Sequence, residues 1–249
     1  MSVFNYQKDQ QGIVTITMDM TGPVNAMNAE YKVAMHEAVN RLEQEQGLVG
    51  VILASAKRVF FAGADLKDLV RATPDHAEEI YRDIQLMKHD MRRLEKLPVP
   101  VVAAINGAAL GGGYELSLAC NRRIAVNHRA VKIGLPECSL GLFPAGGGIV
   151  RLTHLIGVQA ALDIILASKQ MIPEKALAVG MIDQLVETLD DLIPAAKRWL
   201  IDVESDTEAA RQPWDRKGHK VAGGAINTPK NAQYAAVAPT MLHQKTRGL

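Results

Sequence analysis

Only two cysteines occur in the 249 residues, Cys120 and Cys138. That excludes a disulfide framework and a zinc-ligand set, so reduced thiols and a cytoplasmic protein are expected. The N-terminal stretch Val3-Phe4-Asn5-Tyr6 lacks the apolar core of a signal peptide. No apolar run approaches the roughly 20 residues that span a bilayer, because a charged residue interrupts each one. An excess of either charge is also missing. With 28 Lys+Arg against 27 Asp+Glu, no whole-molecule field favours nucleic acid or an anionic membrane. Among catalytic signatures, the seven histidines form no His-Glu-x-x-His pair, and no Gly-x-Ser-x-Gly elbow or Walker pattern appears. Neither a metal nor a separate cofactor is expected. The hydrophobic share is 48%, enough for a sizeable core in one large domain or a domain with an appended segment.

Val14, Ile16 and Met18 alternate with Thr15 and Thr17, the period-two pattern of a half-buried strand. Asn28 is placed to cap a helix in which Tyr31, Met35, Ala38 and Leu42 return at helical spacing. Residues 49–54 read as a buried strand. A long amphipathic helix follows, with Ile80, Ile84, Met87, Met91 and Leu94 as its buried stripe, and Pro98 and Pro100 end it. Residues 101–105 form the next apolar strand, a glycine cluster opens a helix through Glu115 to Cys120, and residues 124–126 and 131–133 are strand-like. From Gly146 the pattern is mostly helical, over 149–156, 158–167, 173–179 and 189–201. Repeated strand–strand–helix units suit a spiral α/β arrangement better than simple doubly wound alternation. Beyond Asp206 the composition shifts to loop and linker, with a helix expected over 232–245.

Four segments can carry chemistry. In the first, Gly111-Gly112-Gly113 lies between an apolar strand and a helix, where glycines let the backbone approach a ligand and aim N–H groups at it. A tight packing turn or a phosphate loop fits the same cluster. A dinucleotide fingerprint does not, because Leu116 stands where the third glycine belongs. Glu115 falls in the first turn of that helix, a common place for a merely dipole-complementing carboxylate. The second segment carries Glu137 after Gly134-Leu135-Pro136. Two carboxylates in one apolar pocket can divide general-acid and general-base duties, because burial and repulsion raise the pKa of one of them. The third is Phe60-Phe61-Ala62-Gly63-Ala64-Asp65-Leu66, which alone reads as an ordinary strand-to-loop turn. The fourth is Leu142-Phe143-Pro144-Ala145-Gly146-Gly147-Gly148, alone no more than the start of a helix. Cys138 is weak as a nucleophile, since lone cysteines are more often small buried hydrophobes.

In this order the four segments resemble the enoyl-CoA hydratase/isomerase (crotonase) family, over roughly residues 10–190. The resemblance implies an α/β, crotonase-like spiral of strand–strand–helix units with a helical C-terminal part. Residues 1–190 would form the crotonase core and 191–249 a C-terminal helical segment with a linker-like tail. It implies an acyl-CoA thioester as substrate, with coenzyme A part of the substrate rather than a cofactor. The N–H groups of Ala64 and Gly112 would form the oxyanion hole. Glu115 and Glu137 would be catalytic, Glu115 activating water and Glu137 delivering a proton to Cα. Ala62, Asp65, Leu66 and Gly111 would line the substrate path, with Lys57, Arg58 and Lys67 near its phosphates. Assembly as a homo-oligomer, a trimer or hexamer, or within a β-oxidation complex would follow.

Within the family, Gly134-Leu135-Pro136-Glu137 and the tail Gln212-Pro213-Trp214-Asp215-Arg216-Lys217-Gly218 resemble the N-terminal hydratase part of bifunctional fatty-acid-oxidation proteins. The expected reaction is syn addition of water to trans-2-enoyl-CoA. The alternatives are a Δ3-to-Δ2 enoyl-CoA isomerase and a non-catalytic scaffold or RNA-binding member. The first needs one carboxylate only; the second predicts a lost glutamate or a basic face, and the sequence offers neither.

Overall fold

The computed structural model describes residues 3–65, 70, 73–234 and 236–237. Its strands are β1 (Phe4–Lys8), β2 (Ile13–Met18), β3 (Gly50–Ser55), β4 (Val101–Ile105), β5 (Ala109–Leu110), β6 (Arg122–Val126), β7 (Ile133–Gly134), β8 (Gln170–Met171) and β9 (Gln184–Val186). The helices used below are α1 (Ala29–Gln44), α2 (Ala77–Glu95), α3 (Gly112–Leu118), α4 (Gly148–Ile156), α5 (Val158–Leu166), α6 (Pro173–Ala178) and α7 (Leu192–Asp202). Six strands make one sheet in the order β1-β2-β3-β4-β6-β9, and β5-β7-β8 make a second. Only β1 runs antiparallel to its neighbour in the first sheet; the rest pair parallel.

Strands buried on both faces read as unbroken apolar runs, and β4, Val-Val-Ala-Ala-Ile, is buried throughout. Alternate residues serve different layers. Val51, Leu53, Val101, Ala103 and Ile105 pack with Tyr31, Met35 and Leu42 of α1 and with α3. Ile52, Val102, Ala104 and Ile124 pack on the other side against Leu192, Ala195, Ala196 and Leu200 of α7. The packing therefore carries across residue 190, where α7 closes the outer face of the sheet. Asn28 caps α1 as its position implies, its Oδ1 accepting from the Tyr31 N–H at 3.0 Å.

Several expectations need correction. The buried stripe of α2 is fully covered only at its C-terminal end, at Met91 and Leu94; Met87 packs half-covered against the core, and Ile80 and Ile84 are half-covered without joining it. Among the nominally polar positions, Asp90 and Glu95 are buried instead. The strand read at 131–133 is β7, which starts two residues later and has only two residues, and β8 and β9 interrupt the helical half. The segment after Asp206 is not a free linker. Gln212 is 1% exposed and its Nε2 donates to the Ala119 carbonyl at 2.9 Å. Asp215 binds Arg92 of α2 at 2.6 and 2.9 Å. A helix starts at 229, three residues before the expected one, and its expected end lies outside the described residues.

One contact ties the layers together at the base of α3. A Cβ at Gly113 would lie 2.3 Å from the Phe61 carbonyl oxygen and 2.7 Å from Phe61 Cβ. The Gly113→Ala change is therefore expected to lower stability by about 1–3 kcal/mol, the usual cost of overpacking. Urea denaturation checks it, and an unchanged midpoint would contradict this close approach.

Candidate active site

Hydrogen bonds from three chain segments stack one against another at the N-terminus of α3. The Phe61 N–H donates to Ala108 at 3.0 Å, and Leu110 returns a bond to the Phe61 carbonyl at 3.1 Å. On the far side, Ala109 donates to Lys132 at 2.8 Å and Gly111 to Gly134 at 2.9 Å. At two positions the spacing leaves no room for a side chain. Gly63 sits at φ +95° with Leu110 O 2.9 Å and Gly112 N 3.6 Å from where a Cβ would be, and Gly111 sits at φ +53°. Both positions need glycine, for conformation and for space.

Ala64 forms an isolated parallel bridge with Met27. That bridge uses the Met27 N–H, bonded to Gly63 O at 2.8 Å, and the Asp65 N–H, bonded to Met27 O at 3.4 Å. The N–H of Ala64 therefore points away from Met27. Gly112 opens α3, where the first N–H groups have no intrahelical acceptor. Ala62 is exposed and its N–H is already bonded to the Asn25 carbonyl at 2.9 Å. Gly111 is buried, Asp65 is half-buried, and Leu66 and Lys67 lie outside the described residues. Lys57 is paired with Asp19 at 2.6 Å, while Arg58 is exposed.

Both glutamates reach this junction. Glu115 is 3% exposed, and its Oε1 accepts from the Gly148 N–H at 2.8 Å. A Cβ at Gly146 would come within 2.6 Å of its Oε2. Glu137 begins a 3-10 turn, Glu137–Leu140, and its Oε1 lies 2.8 Å from the position of a Gly111 Cβ. Its Oε2 is buried without a hydrogen-bond partner among the described residues.

The sequence pattern of the enoyl-CoA hydratase/isomerase family matches residues 8–216. The chain belongs to this family. A fatty acid oxidation complex subunit alpha from Shewanella loihica is 40% identical over 187 residues, covering 74% of this chain and 26% of that protein. Its counterpart from Shewanella halifaxensis is 39% identical over 186 residues, with the same shares. The chain thus spans about a quarter of the length of these curated relatives. A crystal structure of an enoyl-CoA hydratase from Bacillus anthracis matches with a TM-score of 0.77 at 27% identity, over 96% of each chain. The fold is the crotonase fold of these neighbours. No helix among the described residues is long and apolar enough to cross a membrane.

Within this crotonase site the two carboxylates have different surroundings. Burial pushes the Glu115 pKa up, while the N–H groups of Gly148, Gly146 and Gly147 and the charge of Arg151 oppose the shift. Burial also pushes Glu137 up, to about 7, against the pull of its own backbone N–H and with the help of the Glu115 charge. Glu137 has fewer donors to hold its charge than Glu115 has, but it is also less deeply buried.

Two supporting residues escape a reading of the sequence. Asn25 is fully buried and takes the Met20 N–H at 3.1 Å, while its Nδ2 reaches Ser55 Oγ at 2.9 Å and the Phe60 carbonyl at 3.2 Å, pinning the start of the 60–64 turn. Arg151 is buried below the Gly146-Gly147-Gly148 loop. Its one visible signal is an arginine within the otherwise apolar start of α4.

A raised carboxyl pKa in the folded state weakens folding as pH climbs. Unfolded Glu137 loses its proton near 4.5 and folded Glu137 near 7, so between these values unfolding releases a proton. The melting temperature of Glu137→Gln, relative to the parent protein, is expected to rise from pH 5 to pH 8. Parallel melting curves across that range would contradict the assignment.

Proposed function

We propose that this chain is an enoyl-CoA hydratase that adds water syn across the double bond of trans-2-enoyl-CoA to give 3-hydroxyacyl-CoA, a step of fatty-acid β-oxidation. The observation that supports this reading most is the meeting of buried Glu115 and half-buried Glu137, both with raised pKa values, beside the Ala64 N–H turned away from Met27 and the Gly112 N–H at the start of α3. Ionised Glu115 takes a proton from water as the water oxygen bonds to Cβ. The π electrons move toward the thioester, and negative charge collects on its oxygen. Donors fixed in advance stabilise such an oxygen, one side-chain donor in a known enzyme being worth roughly 3 kcal/mol. The N-terminal end of α3, although short, has the sign that favours the same charge. Glu137, protonated below about pH 7, delivers its proton to Cα and the carbonyl re-forms. Solvent exchange returns the proton from Glu115 to Glu137.

A Δ3-to-Δ2 isomerase needs only one carboxylate to carry a proton between carbons, so retention of both favours hydration. In this reading Ala62, Asp65, Leu66 and Gly111 border the acyl-CoA path. Assembly into a homo-oligomer or a β-oxidation complex belongs to the same proposal, supported by the fatty acid oxidation complex names of the relatives.

Loss of the conjugated-thioester absorbance of crotonyl-CoA is the test. It is expected to proceed with the parent protein and to slow at least ~100-fold in both Glu115→Gln and Glu137→Gln, the usual size of general acid–base effects. A gain of that absorbance from a 3-enoyl-CoA, with no loss from crotonyl-CoA, would replace hydration by isomerisation. No turnover of either by folded protein would favour the non-catalytic reading.

A further inference from the structure

Arg151 is 7% exposed on α4, and its guanidinium makes two different bonds. Nε donates to Glu95 Oε1 at 2.6 Å, and Nη1 donates to the Gly146 carbonyl at 2.8 Å. Glu95, itself 3% exposed, accepts from Arg92 Nη1 at 2.8 Å through its other oxygen, and Arg92 is in turn held by Asp215. Burying such a pair brings little net stability, because desolvation offsets much of the attraction. A pair that served only to join α2 to α4 would not need the second arm. That arm ends on Gly146, where the run of N–H groups around Glu115 begins. The guanidinium also lies close under the loop, with Nη1 2.2 Å from where a Gly147 Cβ would stand.

We propose that Arg151, anchored by Glu95, is a positioning residue that fixes the Gly146 carbonyl and so aims the N–H groups of residues 146–148 at Glu115. The kinetic consequence rests on the hydratase reading; the electrostatic one does not. The groups facing Glu115 are Arg151 from α4, Glu137 from the 137–140 turn and Tyr31 from α1. Arg151 additionally faces Cys120 just after α3. Its charge and the N–H donors both favour ionised Glu115, so losing either moves the Glu115 titration to higher pH.

The direct readout is the titration of 13C-labelled glutamate side-chain carboxyl carbons, with Glu115 assigned by its disappearance in Glu115→Gln. In Arg151→Gln the Glu115 midpoint is expected to move up, with kcat on crotonyl-CoA falling roughly 10- to 100-fold and KM changing little, as for a misplaced catalytic group. Glu95 keeps Arg92 as a partner in this variant, which favours folding. Arg151→Lys keeps a charge beside Glu95, yet one ammonium cannot also reach the Gly146 carbonyl. Its midpoint is expected between those of the parent and Arg151→Gln, and it carries the test if Arg151→Gln does not fold. An unmoved Glu115 midpoint in a folded variant would overturn the proposal. Absence of hydratase activity in the parent would sink the functional reading alone, because the titration still decides the role of Arg151.

Discussion

The burial of the Glu115 carboxylate against backbone N–H groups is the constraint on which the rest of this site depends. A carboxylate removed from water must be hydrogen-bonded or it gives up its charge. Here the donors come from residues 146–148, more than thirty positions along the chain, with Gly148 N 2.8 Å from Oε1. For that loop to come so close, Gly146 and Gly148 must lack side chains, since a Cβ at either would fall within 3.0 Å of a Glu115 atom. For Glu115 to face the loop, α3 must start where the 61–64 turn and the 108–111 segment interlock. The glycines at 63, 111, 113, 146 and 148 thus answer one requirement, the close approach of several backbones around one acid.

The same arrangement separates the two glutamates chemically. Glu115 has several backbone donors and a nearby guanidinium opposing the effect of burial, whereas Glu137 has less support and feels the charge of Glu115. Two identical side chains thereby sit in unequal surroundings, through which one site can divide acid and base duties between them. Arg151 and Glu95 extend this logic beneath the site and connect it, through Arg92 and Asp215, to the tail segment that packs beside α2.

Much of this is legible in the sequence, for physical reasons that differ from element to element. The alternation in β2, the unbroken apolar run of β4 and the Asn28 cap of α1 are local properties, and local patterns report them well. The glycine run before Glu115 marks a close backbone approach, although spacing alone cannot show that Glu137 meets it from another turn. β8 and β9 have two and three residues, too few for a period. Asp90 and Glu95 look like surface positions of α2 because each has one partner on the same helix, Arg93 and Arg92, while the other, His36 and Arg151, is brought by tertiary packing. Gln212 and Asp215 look like linker for the same reason: composition reveals no hydrogen bond to Ala119 or Arg92.

In the proposed hydratase, two N–H groups and two carboxylates converge on one acyl thioester. A crystal structure of this chain with a bound 3-ketoacyl-CoA tests this convergence most directly. The thioester oxygen is expected within hydrogen-bond distance of both the Ala64 and Gly112 nitrogens, with Cα and Cβ between Glu115 and Glu137. A thioester bound elsewhere, or one whose oxygen meets neither nitrogen, would contradict it.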